Sequence, residues 1–212
     1  MGDQNPGGRV ARGDAVFNAV KTLSAKAKAL VKGELAAFTA EHSAFLKRQS
    51  AVKAAKSAVL AAEKNAGDKD AAQDRAVDAL ASALAGDGFD RSNPFAELGG
   101  EAPSHVKILG YADEAKAVRA LTGDVTKHPR AGAASKRGAA AAVKAANAVD
   151  AALKPIAALV KARADRIAER DALGLPWEAA YAALRDAAKS GAHKDAADLS
   201  KKKKKKRARR RA

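Results

Sequence analysis

The residues of this chain best suited to chemistry stand at its C-terminal end. Lys201, Lys202, Lys203, Lys204, Lys205, Lys206, Arg207, Arg209, Arg210 and Arg211 put ten cations into twelve residues with no acid among them. Like charges at that density repel and can bury nothing, so 201–212 is expected to be a disordered polycationic tail. Such a segment neutralises a polyanion, because docking on phosphates releases condensed counterions. Lysine is a hydrated point charge, suited to phosphate contact rather than base reading. The expected partner is nucleic acid, DNA or RNA, bound without sequence preference; anionic lipid or an acidic protein offers the same charge. A tail serving solubility or weak anchoring alone is the plainer reading.

Other groups are weaker candidates. Lys21, Lys26, Lys28, Lys32, Lys47, Arg48, Lys53 and Lys56 give the first long helix a positive face. A solvated face explains them, and a second polyanion surface is the other reading. His42, His105, His128 and His193 are scattered, with no His or carboxylate at ligand spacing, so no metal site is expected. His42 belongs beside an apolar seam, as an interface histidine. Asp87, Asp90 and Asn93 invite a calcium loop, but Phe89 and Phe95 fall where a ligand and the turn glycine are needed. Gly132–Gly138 lacks phosphate-loop spacing. Trp177 and Tyr181, four apart, read as core anchors rather than a base-stacking platform. With no nucleophile or acid–base set to assemble, the expectation is a non-enzyme without a cofactor.

The elements that must carry these residues are helices. The chain of 212 residues holds 59 alanines, the strongest helix formers, and isoleucine only at 108, 156 and 167. Too few β-branched and aromatic residues remain to build a sheet. Alanine contributes little buried area, so a thin, elongated core is expected. No cysteine is present, which excludes disulfides and thiolate metal sites. The N-terminal residues lack a signal-type apolar run, and no stretch is apolar enough to span a membrane, which makes a cytoplasmic location the default. Of the net charge of +16, the tail carries +10 and residues 1–65 carry +6; the rest cancels.

Along the chain, 1–13 reads as a flexible leader. Asp14 then caps a helix of roughly 75 Å running to about Ala66. On it, Phe17, Val31, Phe38, Phe45, Val52 and Val59 follow a seven-residue spacing, flanked by a row through Val16, Leu23, Leu30, Ala37, Ala44, Ala51 and Ala58. Gly33 marks a weak point. Gly67-Asp68 is expected to end this helix, and Asp70 with Gln73 to cap the next. A loop covers 86–103 and tucks in Phe89, Phe95 and Leu98. A helix over 104–122 is split at Gly110, a basic loop fills 123–138, and a helix over 139–173 is kinked at Pro155. The last helix covers 176–190. The predicted fold is all-α: an elongated antiparallel bundle of about four to five helices over 14–191, one of them a very long N-terminal helix, followed by linker and tail over 192–212. The Ala/Lys-rich helices and basic tail are similar in composition to bacterial histone-like proteins and to some granule-coating phasins.

Two functions follow as expectations. The first is non-enzymatic, sequence-independent nucleic-acid binding through the tail, with the bundle as scaffold and a homo-oligomer as one possible form. The alternative is a structural or adaptor bundle that binds a protein partner or coats an apolar surface.

Overall fold

The computed structural model describes residues 5–190; the residues expected to bind a polyanion, Lys201–Arg211, and the expected linker 192–200 lie outside them. Among the described residues helix is the regular secondary structure, with no strand, and the helices pack as a bundle. The chain divides into two compact units, Met1–Ala54 with Arg163–Ala212 (unit 1) and Ala55–Ala162 (unit 2).

In unit 1 helix begins earlier than expected. Helix α1 spans Pro6–Lys21, so the leader expected over 1–13 is helical from Pro6 onward. Two local causes act. Asn5 Oδ1 accepts the Gly7 amide at 3.0 Å, and Pro6 supplies a pre-set φ at the first helical position. The expected single helix from Asp14 is also interrupted. Thr22 donates its hydroxyl to the Ala19 carbonyl at 2.7 Å as α1 ends. Ser24 then caps the short α2, Ala25–Leu30, by accepting the Ala27 amide at 3.2 Å. Val31, with φ at −113°, separates α2 from α3.

Helix α3 runs for 55 residues, Lys32–Gly86, straight through Gly67-Asp68. The reason is its seam. The seven-residue spacing continues past its expected end: Val31, Phe38, Phe45, Val59, Ala66, Gln73 and Leu80 are all buried, with Val52 half-buried. A mid-helix glycine costs about 1 kcal/mol, little against buried side chains on both sides of it. Lys64 also pairs with Asp68 across one turn at 2.7 Å. Asp70 and Gln73 therefore lie inside a helix instead of capping one. The flanking row is divided: Val16, Leu23 and Ala51 are half-buried, whereas Leu30, Ala37, Ala44 and Ala58 are exposed, and along α3 the flank turned inward carries half-buried Leu35 and buried His42.

The unit 1 core joins Val31, Phe38 and Phe45 to Trp177 and Leu184 of the last helix, α8, which covers 174–190. Helix α7, Ile156–Ala172, leads into it. Pro155 separates α7 from α6 outright, since α6 ends at Leu153.

In unit 2, residues 55–86 of α3 pack with α5, Tyr111–Lys127, and α6, Ala133–Leu153. The connection after α3 contains a 3-10 turn, Ala96–Leu98, and the short α4, Pro103–Val106. Phe89, Phe95 and Leu98 fold back into the core as expected. Helices α5 and α6 are antiparallel. Arg119 pairs with Asp150 at 2.8 Å, while Thr126 and Ala139 line one cleft farther along. The basic loop is shorter than expected because α5 passes through Gly123 and α6 starts before Gly138. A Cβ on Gly138 would stand 3.3 Å from Leu80, so this glycine serves close helix approach. No helix among the described residues is long and apolar enough to cross a membrane.

Candidate functional site

The described lysines of the first segment are arranged as a dispersed positive surface. Lys21, Lys28, Lys32, Lys47, Lys53 and Lys56 are exposed. Lys21 donates to Asn18 at 3.1 Å, and Lys28 to the Lys21 carbonyl at 3.4 Å. Arg48 differs, being paired with Glu169 at 2.8 Å. The arginines of the body follow that pattern: Arg9 and Arg12 share Glu178, Arg130 holds Glu97, and Arg166 holds Glu169. Positive charge on these helices is thus partly answered by their own carboxylates, while 201–212 contains no acid.

Each histidine among the described residues has a structural place. His42, 1% exposed, accepts the Trp177 indole N–H at Nδ1 over 3.0 Å. That bond requires the proton on Nε2, in a neutral ring. Burial holds the His42 pKa below 6.5, against a smaller opposing pull from Asp14. Phe17, Phe38 and Trp177 surround the ring, Trp177 stacks on Tyr181 at 13°, and Arg12 lies over Trp177 at 5.1 Å. Trp177 is fully buried, so its indole offers no face to a base. His105 meets Glu101 on the surface, and His128 packs on Phe89 at the end of α5. His193 lies outside the described residues.

The loop that suggested calcium ties itself together instead. Asp87 Oδ2 accepts the Gly132 amide at 2.7 Å and the Ser135 hydroxyl at 2.5 Å, capping α6 from the end of α3. Those two bonds, Ser135 first, hold its carboxyl below the usual range. Asp90 accepts the Ser92 amide and hydroxyl, and Asn93 accepts the Phe95 amide. Among the described residues no group of His, Asp and Glu converges as a metal set.

One polar cluster was missed by sequence reasoning. On α3, Asp70, Gln73 and Asp74 lie beside Glu114 of α5 and act on its carboxyl. Gln73 is fully buried and Glu114 is 1% exposed. Asp70 Oδ1, Asp74 Oδ1, Glu114 Oε1 and both polar atoms of Gln73 are buried without a completed hydrogen bond. Desolvation, reinforced by Asp74 and Asp70, pushes Glu114 up to about 7. The available signal was the seam itself: extended by seven from Ala66, it lands on Gln73.

A groove of about 630 Å³ also lies on unit 2, lined by Leu98, Val106, Ile108, Leu109 and Leu121 among others. Ile108 beside it is 79% exposed. No protein-family model, no curated protein and no solved structure matches this chain.

Proposed function

We propose that this is a non-enzymatic, cytoplasmic protein that binds nucleic acid without sequence preference through Lys201–Lys206, Arg207 and Arg209–Arg211, its helices serving as scaffold. The observation that carries this reading is ten cations in twelve residues with no internal acid to answer them. The paired arginines of the body support it by contrast, since 201–212 is the densest run of positive charge in the sequence. Its affinity is electrostatic and comes from counterion release.

The test is gel retardation with duplexes of unrelated sequence, comparing the full chain with one ending at Ser200. The expected result is similar affinity for all duplexes and a steep fall with salt. Ten docked charges would set a limiting slope near −9, at about −0.9 per phosphate. Loss of the tail removes most binding and leaves the melting temperature unchanged. Retained binding by the shortened chain would move the site to the lysines of the first segment.

A second reading is favoured by the groove beside Ile108 and Leu109. There the helices are an adaptor for a protein partner and the tail is secondary. Absence of nucleic-acid binding near physiological salt would favour it.

A further inference from the structure

We propose that the polar cluster between α3 and α5 is a proton-binding latch: one proton held among Glu114, Asp70 and Asp74 seats α5 on α3, and its release loosens unit 2. This goes beyond nucleic-acid binding and does not depend on it.

The argument starts from hydrogen-bond supply. Ionised, the three carboxyls can only accept, and their buried oxygens Asp70 Oδ1, Asp74 Oδ1 and Glu114 Oε1 have no donor. Like charges gathered in a half-buried cluster are unfavourable, and so is a buried acceptor left unmade. One proton on Glu114 corrects both faults. It removes a charge and turns an acceptor into a donor beside Asp70 and Asp74.

Gln73 answers only part of this demand. It occupies a position of the buried seam and adjoins Glu114, where its amide favours the ionised form, yet neither of its polar atoms completes a hydrogen bond. Lys107 feels Asp74 and Glu114 only at a distance, because its ammonium is bonded to Asp78 at 2.8 Å. From α6, Asp150 is engaged by Arg119. The charged groups around Glu114 are therefore mostly acidic, and protonation is the remaining remedy.

The sign follows from the direction of the shift. Glu114 is raised from 4.5 to about 7 in the folded chain. The folded state holds its proton longer than the unfolded state does, so stability is greatest below 4.5. It falls as pH rises from there, and the fall is complete above about 7. Asp70 shifts in the same direction, again first through burial.

Hydrogen exchange of the full chain, corrected for the intrinsic rate, tests the latch. Protection of the 111–127 amides should fall about thirtyfold between pH 5.5 and 8.5, from the linkage of that shift. The 174–190 amides of unit 1 should not follow. In Glu114→Gln, whose amide imitates the protonated acid, the 111–127 profile should become flat at its low-pH level. Should that variant misfold, Asp74→Asn provides the second arm. It removes a neighbour that raises Glu114, so the fall should end at lower pH. A flat profile in the natural chain would overturn the latch. So would an unchanged profile in a folded Glu114→Gln or in Asp74→Asn.

Discussion

At the scale of single residues, His42 organises unit 1 through one nitrogen. Its Nδ1 accepts the Trp177 indole N–H, and the Cε1 corner of the ring, beside that nitrogen, faces Gly13 of α1. A Cβ on Gly13 would lie 1.9 Å from His42 Cε1, a distance no side chain tolerates. The ring cannot swing aside without breaking its bond to Trp177. Gly13→Ala should therefore cost about 3 kcal/mol, the upper end for overpacking. Denaturant unfolding followed by Trp177 fluorescence measures it, since this is the only tryptophan. An unchanged midpoint would refute the contact. The same ring sets an acid limit. His42 is lowered from 6.5, so its contribution is complete above 6.5 and is lost as pH falls through the lowered value. Trp177-reported stability should decline as pH is taken from 7 to 5, whereas Glu114 responds in the opposite sense over that range. A decline equally large in His42→Gln would point to another group.

At the scale of elements, the seam of α3 explains what the sequence made legible and what it did not. Phe38, Phe45 and Val59 were readable from seven-residue spacing, and the fold class from alanine and the shortage of strand formers. The break expected at Gly67-Asp68 was wrong because local propensity is a small energy set against continuous burial. Gln73 concealed that continuity, since a polar residue in a seam looks like its end. Caps were misread for a related reason: Asn5 with Pro6 outweighs Asp14, and Ser24 starts a helix where the pattern ran on. The polar cluster was illegible because Glu114 reaches Gln73 through a fold that spacing alone does not specify. Gly67 supplies a direct check. A Cβ there would make an ordinary 3.5 Å contact with the Tyr111 hydroxyl. Gly67→Ala should stabilise the protein by about 1 kcal/mol, seen as a raised midpoint in chemical unfolding. A lowered midpoint would mean that the helix needs a flexible point there.

At the scale of the whole molecule, the two units differ in how the chain supplies them. Unit 2 is one continuous stretch, Ala55–Ala162, whereas unit 1 is assembled from residues before and after it. His42 and Trp177, joined by one hydrogen bond, stand 135 residues apart. During synthesis at about 5–20 residues per second, that separation is roughly ten seconds of translation. Through that interval Phe38 and Phe45 have left the ribosome without Trp177 and Leu184 to cover them, while every residue of unit 2 becomes available in turn. Birth order thus runs against chain order: the middle of the protein can close first, and its beginning must wait for its end. A message broken anywhere before Trp177 yields a product with exposed phenylalanines and no polycationic tail. Only a chain made through Arg211 unites a finished unit 1 core with the charges proposed to bind.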